Sequence, residues 1–350
     1  MKPSTKNFIA VVAAVLSVIA SSVSAIAQNA VADFYKGKTV TIVIGSTPGG
    51  GYDTYARLIA RHLGKFIPGN PSVVPSNMPG AGSNVAAAAV YTTLPKDGSH
   101  IGAIYASAML EPLVGDAARI RHDPSKFQTL GSASNEIYTC MVRNDAPIKT
   151  LADARTTEII LGATAEGGST VDFPAILNRF FGTMFKIVRG YAGSREVLLA
   201  IERNEVQGAC GLTWSVLSTQ LPTLFSDGRF RMLLQEDMTG NDELNKRGIP
   251  VAGTLAGDPA ARQALELFYA QNVLGRPYVM APEVPAERVT ALRMAFMQVL
   301  KDPELLADTQ KMRVTINPQS GEDVQALIAK LYATPKPIVE VVRETLARQK

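Results

Sequence analysis

Thr47-Pro48-Gly49-Gly50-Gly51-Tyr52-Asp53 constrains this chain more than any other stretch, because it turns a buried-looking strand into a helix through three consecutive glycines. The strand is the β-branched run Thr39-Val40-Thr41-Ile42-Val43-Ile44, of the kind that fills a parallel sheet. The helix is expected over Asp53 to Phe66, where Tyr55, Leu58, Ile59, His62, Leu63 and Phe66 recur at three- and four-residue steps. Glycines at such a junction let the backbone approach a ligand and aim N–H groups at it, at the positive end of the helix dipole. The result is a seat for an anion, a carboxylate as readily as a phosphate.

The strand–loop–helix pattern then repeats. Ser72 to Pro75 reads as a strand, Asn77 to Ser83 as a glycine loop, Asn84 to Leu94 as an alanine-rich helix, and His100 to Ala106 as a third strand leading through Ser107. A second set follows the extended stretch Phe127 to Val142. Its strand Glu158–Ala163 and loop Glu166-Gly167-Gly168-Ser169-Thr170 lead into a helix with Phe173, Ile176, Leu177, Phe180 and Phe181 on one face. Lys186–Val188 is a strand, Gly190 to Ser194 a loop, Arg195 to Arg203 a helix, and Val206–Leu212 and Arg229–Leu234 two more strands. The tail returns with Tyr278–Pro282 and helices over Pro285–Leu300, Pro303–Met312 and Gln319–Tyr332. Alternating β and α implies parallel sheets flanked by helices. Two such sets joined by long crossings predict two lobes with a cleft between them, the glycine loops lying at the carboxyl ends of the strands, where ligands bind.

The first residues set the compartment. Lys2 and Lys6 precede the apolar run Phe8–Ala20, and Ala25-Ile26-Ala27 supplies small residues for signal-peptidase cleavage. Residues 1–27 are therefore expected to be a signal peptide cleaved near Ala27, leaving a soluble, periplasmic protein. The run is too short to span a bilayer comfortably. The formal net charge of +4 includes the two signal lysines, and no Lys/Arg run suggests nucleic acid or an anionic membrane surface.

The two cysteines, Cys140 and Cys210, lie in apolar, strand-like contexts. Two buried thiols packing as small hydrophobes is the expected arrangement, and a bridge is the alternative if their strands are neighbours. The scattered His62, His100 and His122, without paired CxxC or HExxH spacing, predict no metal site, and no cofactor is expected. Enzyme readings are disfavoured. Gly45, Gly49, Gly50 and Gly51 do not form GxGxxG, no P-loop Gly-Lys-Ser/Thr follows, and no GxSxG elbow with a partnered histidine is evident.

Three segments in order carry a family resemblance: "GKTVTIVIGSTPGGGYDTYARLIARHL", "VVPSNMPGAGSNVAAAAVYTTLPKDGSHIGAIYAS" and "YVMAPEVPAERVTALRMAFMQVLKDPEL". Together they resemble the extracytoplasmic solute receptors of tripartite tricarboxylate transporters, the Bug receptors, over essentially the whole mature chain. Met78, Ser99-His100 and Val188 to Gly193 depart from the usual pattern. The resemblance implies an α/β, type II Venus-flytrap binding protein that performs no chemistry. Lobe 1 would span 28–135 and 272–350, and lobe 2 would span 136–271.

It also implies a small organic carboxylate as ligand and the membrane permease subunits as partners, with the receptor itself monomeric. A receptor that reports its ligand to a membrane sensor is the alternative on the same fold. Carried over by position, Thr47, Gly49, Gly50 and Gly51 would form the first ligand loop, and Gly80, Ala81, Gly82 and Ser83 the second. On the lobe 2 side Gly168, Ser169 and Thr170 offer N–H groups and hydroxyls at a helix start, and Tyr191, Gly193 and Ser194 a similar junction. Ser107 joins the expected site at the third strand's end. Arg195 is placed to pair with a second carboxylate or to be a solvated surface charge, and Trp214 to stack on a ligand or to pack in the core. Asp53 is expected to cap its own helix and fix the loop, with Arg57 and Arg61 on the surface.

Overall fold

A computed structural model describes residues 29–115, 120–164, 168–221, 223, 226–312 and 314–347. The expected signal peptide, with its cleavage near Ala27, lies outside the described residues, as do Glu166 and Gly167 of the expected loop. Among the described residues no helix is long and apolar enough to cross a membrane.

In chain order the strands are β1 (Thr39–Ile44), β2 (Ser72–Asn77), β3 (His100–Ala103), β4 (Gln128–Ser132), β5 (Tyr138–Arg143), β6 (Ile159–Gly162), β7 (Phe185–Val188), β8 (Gly208–Thr213), β9 (Phe230–Glu236), β10 (Pro277–Met280) and β11 (Gln319–Ser320). The helices are α1 (29–35), α2 (Gly51–Leu63), α3 (Asn84–Thr92), α4 (Ala106–Val114), α5 (Ser169–Phe181), α6 (Ser194–Glu202) and α7 (Trp214–Gln220). They continue with α8 (Asp242–Lys246), α9 (Ala252–Leu255), α10 (Pro259–Leu274), α11 (Ala286–Val299), α12 (Pro303–Met312), α13 (Gly321–Tyr332) and α14 (Lys336–Ala347).

Two mixed sheets organise the α/β fold, in the orders β11-β4-β10-β3-β1-β2 and β7-β6-β8-β5-β9. Each has a parallel trio: β1 between β2 and β3, and β6 between β7 and β8. Each then accepts one antiparallel strand from a chain segment arriving from the other side. β10 inserts between β3 and β4, and β5 between β8 and β9. The chain therefore changes sheet between β4 and β5 and again between β9 and β10. This is the two-lobed architecture that the repeated strand–loop–helix units predict.

Boundaries move by a turn or less where caps decide them. The helix expected from Asp53 begins at Gly51, because Gly50 takes an extended conformation at φ −77° and the chain turns helical immediately after it. Several helices are absent from the sequence reading, α10 and α14 the longest of them. α10 starts on Asp258, whose side chain accepts the Ala261 N–H at 2.8 Å ahead of Pro259, and α14 closes the chain against α4, α5 and α10.

The cysteine expectation is overturned. β5 and β8 are antiparallel neighbours, and their register shift between Thr139 and Met141 brings Cys140 opposite Cys210, where the two form a disulfide. Both residues are fully buried. Strand adjacency, which no local pattern encodes, decided the outcome.

Candidate functional site

The first loop leaves the carboxyl end of β1 with Thr47, Pro48, Gly49 and Gly50 all exposed. A methyl group added at Gly49 would meet nothing within 4 Å, and at Gly50 only the Thr47 carbonyl at 3.8 Å, so open space lies in front of the α2 N-terminus. The loop is held from behind by Asp53, which is buried. Its Oδ2 accepts the Gly49 N–H at 2.8 Å, and its Oδ1 accepts Asn77 Nδ2 at 2.8 Å. Asn77 Nδ2 also donates to the Ser46 carbonyl at 2.9 Å, tying the end of β2 to the loop.

Asp53 therefore fixes the loop as expected, but by bonding Gly49 rather than by capping its own helix. Burial pushes its carboxyl up, yet the hydrogen bonds from Arg57, Gly49 and Asn77 together hold it below the usual carboxylate range. Arg57 is not a free surface charge. Its Nε donates to both Asp53 oxygens at 2.9 Å, and the guanidinium reaches Asn77 Oδ1. Arg61 is half-exposed, 3.9 Å from Asp308.

The second loop carries four consecutive residues with positive φ: Gly80 (143°), Ala81 (45°), Gly82 (60°) and Ser83 (77°). For Ala81 and Ser83 the left-handed region costs on the order of 1–3 kcal/mol each, strain of the kind that concentrates at ligand sites. The backbone is held there by Asn84 Nδ2 on the Ala81 carbonyl at 2.7 Å and by Ser83 Oγ accepting the Tyr105 N–H at 3.1 Å. Ser83 is buried and lies directly against Gly45, where an added Cβ would sit 1.6 Å from its hydroxyl. Its side chain is structural, and the exposed part of the loop is Gly80, Ala81 and Gly82. Ser107, half-buried in the first turn of α4, stands at the end of β3 beside these loops.

On the second sheet, α5 begins at Ser169 with Gly168 as an extended N-cap. Ser169 Oγ donates to the Gly211 carbonyl at 2.8 Å, whereas Thr170 is buried and its hydroxyl is spent on Thr164. Tyr191 lies half-buried over β6, and burial first and then Glu205 raise its hydroxyl above the ordinary value. Ser194 opens α6 behind an extended Gly193. Arg195 is exposed and lines a shallow groove with Leu198, Leu199, Glu202 and Leu221, so it is not brought together with the first-loop glycines. Trp214, half-buried, packs against the core of the second sheet, and its backbone N–H donates to the Ile137 carbonyl at 2.7 Å.

The sequence reading missed the polar centre beneath the loops. Arg276 and Glu136, both nearly fully buried, form an ion pair, and the guanidinium lies over the rings of Tyr52 at 4.9 Å and Tyr55 at 4.2 Å. A Cβ on Gly51 would meet the same guanidinium at 3.1 Å. Tyr52 Oη donates to the Gly275 carbonyl at 2.7 Å and accepts the Ala106 N–H at 3.2 Å, and its ring packs on Tyr105 at 4.4 Å. Burial, partly offset by Arg276, pushes its phenol up to about 12. Glu136 Oε2 accepts from Ser215 Oγ at 2.8 Å, which carries the network into the second sheet's side. The available signal was Tyr52 directly after the glycines, and Gly275-Arg276 where a strand was due to begin.

Among the described residues one group has metal-ligand chemistry: His62, Asp302 and Glu304. The Lys65 ammonium stands 2.7 Å from Asp302 and 2.6 Å from Glu304, so the cluster already holds a cation of its own.

No family model matches the chain. A UPF0065 protein from the TAR-I ttuE-ttuC' intergenic region of Agrobacterium vitis is 27% identical over 197 residues, 52% of this chain and 53% of that protein. The chain thus matches about half the length of this curated relative. Among solved structures, a TctC solute-binding protein from Polaromonas superposes with TM-score 0.64 at 17% identity, covering 87% of this chain and 99% of the other. MatC from Rhodopseudomonas palustris with bound malate gives 0.60 at 18%, covering 87% and 99%. An R. palustris protein with adipate gives 0.59 at 20%, covering 89% and 97%. The fold is therefore that of the two-lobed TctC- and Bug-type solute-binding proteins, which are binders rather than enzymes.

Proposed function

We propose that this protein is a periplasmic receptor of the tripartite tricarboxylate type, which captures a small organic carboxylate between two lobes and delivers it to the membrane permease subunits. The observation that carries the reading is the pairing of two outward-facing backbone seats. The Gly49–Gly50 loop stands before the α2 N-terminus with open space at both glycines, beside the strained 80–83 loop. N–H groups held in place before binding suit a carboxylate, because they need no reorganisation to receive it.

In this reading lobe 1 comprises 28–135 and 272–350, and lobe 2 comprises 136–271. Thr47, Gly49, Gly50, Gly51 and the backbone of Gly80 to Ser83, with Ser107, grip one carboxylate. Gly168, Ser169, the Thr170 backbone, Tyr191, Ser194 and Trp214 select the remainder as the lobes close. Arg195 serves at the rim. Closure follows because a bridging ligand stabilises the closed state more than the open one. Malate and adipate, bound by two proteins of this fold, define the first solutes to try.

The test is thermal unfolding of the exported protein, refolded from denaturant to strip carried-over solute, with malate, adipate, succinate and their diamides. Ligand at about a hundred times its dissociation constant adds about 2.7 kcal/mol, a rise of a few degrees in Tm. A rise with an acid and none with its diamide supports the anion seat. No rise with any acid removes the carboxylate assignment. Delivery is tested by crosslinking loaded receptor to permease-containing membranes, where capture independent of loading argues against it.

A further inference from the structure

The bulge where β8 meets β5 frees one backbone group. The register passes from Thr139↔Leu212 to Met141↔Ala209, and Gly211 sits at the shift with φ +71°. A Cβ there would lie 2.1 Å from the Ser169 carbonyl, so only glycine lets α5 begin so close to the sheet. Gly211 is then held through both of its backbone groups. Its N–H donates to Glu236 Oε2 at 2.6 Å, and its carbonyl accepts from Ser169 Oγ at 2.8 Å. Glu236, the last residue of β9, reaches this N–H from across the intervening strand β5 and is fully buried.

We infer that Glu236 is a positioning residue of the lobe 2 seat: it holds the Gly211 backbone in place and through it turns the Ser169 hydroxyl into a fixed hydrogen-bond acceptor for a donor group on the solute. This rests on the receptor reading given above. The logic is donor counting. A serine hydroxyl has one proton, and here it is committed to Gly211, leaving only lone pairs for the ligand. A seat with acceptor lone pairs favours a solute bearing a hydroxyl or amino group over the same acid without one, since the bare analogue leaves the acceptor unpaired. The solute class is a hydroxy- or amino-substituted carboxylic acid.

Glu236 performs this without placing a negative charge under an anionic ligand. Its surroundings are Gly211 from β8, Tyr138 from β5, Asp237 beside it, and Tyr269 and Asn272 from α10, the last donating to the Glu236 carbonyl at 2.8 Å. Asp237 is itself satisfied by the Thr239 and Gly240 N–H groups and Asn272. Among the described residues no cation acts on Glu236, and burial, only partly offset by the Gly211 N–H, pushes its carboxyl up to about 8. At neutral pH it is a neutral acid. Its Oε1, Tyr269 Oη and Asn272 Oδ1 are all buried without hydrogen-bond partners among the described residues.

The experiment measures affinity for malate and for succinate by calorimetry in the parent, S169A, E236L and the double variant. The parent should bind malate about tenfold more tightly than succinate. S169A and E236L should each erase that preference, and the double variant should lose no more than either alone. A parent without the preference, or additive losses, overturns the inference. The pH arm needs no apolar variant: malate affinity should fall as pH rises through about 8 in the parent and stay level in E236Q. If neither acid binds, the receptor reading fails for these solutes and the Gly211 amide resonance decides alone. It should titrate near pH 8 in the parent and not in E236Q, and a resonance indifferent to Glu236 overturns the positioning role.

Discussion

The Arg276 guanidinium and the Glu136 carboxylate, 140 residues apart in the chain, form a buried ion pair where the two segments that link the sheets run side by side. Around it Glu136 N–H donates to the Asn272 carbonyl at 3.0 Å, and Arg276 N–H to Ser134 O at 3.1 Å. These crossings join the side chains of Tyr52 and Tyr55 on one side to Ser215 on the other.

Breaking that pair from one side is therefore expected to be severe. Glu136→Ala strands a buried guanidinium and should cost about 3–5 kcal/mol, read as a lower urea midpoint at unchanged slope. Glu136→Gln with Arg276→Met should cost less than the sum of the two single changes. Additive losses would mean that the two groups act separately.

The loop glycines separate binding from folding. Gly50 is extended with room for a side chain, so Gly50→Val should leave Tm within about a degree while blocking the seat. Gly82 has room but a φ of 60°, so Gly82→Val should also lose about 1–3 kcal/mol of stability. Calorimetry with the acid that raises Tm checks both, and retained affinity in the two variants would place the site elsewhere.

Stability should depend on pH through Glu236. Its folded pKa, about 8, is raised above the usual carboxyl value, so the folded state holds a proton that the unfolded state has released across the interval between them. The contribution is complete below the unfolded pKa and disappears as pH climbs through about 8, at up to about 1.4 kcal/mol per pH unit. Denaturation curves at stepped pH should show this decline in the parent and a shallower one in E236Q. Parallel curves would exclude it.

The Cys140–Cys210 bridge closes a loop with a sequence separation of 70. By the loop-entropy relation, reducing it should cost about 4 kcal/mol, and since both sulfurs are buried, reduction should be slow until the protein is partly unfolded. A midpoint insensitive to dithiothreitol after full reduction would argue that β5 and β8 hold without it.

Much of this molecule was legible locally. The β1 run, the glycine junction, the apolar stripe of α5 and the small-residue loops each announce themselves within a dozen residues, because strand and helix periods are properties of neighbouring side chains. α10 escaped although its Asp258-Pro259 start is a readable cap, since the helix is apolar on several faces and lacks a clean stripe. Thr170 was expected to offer a hydroxyl and Ser83 to line the second loop, but folding turned both side chains inward.

The sequence by itself determined the two strand–loop–helix sets, their order and the anion-seeking character of the glycine loops. Only the tertiary structure decided that Cys140 meets Cys210, that Arg276 finds Glu136, and that Glu236 reaches Gly211 across a strand. The physical reason is range: backbone periodicity is written into adjacent residues, whereas the desolvation that makes a buried charge seek a partner acts only once distant segments have closed around it.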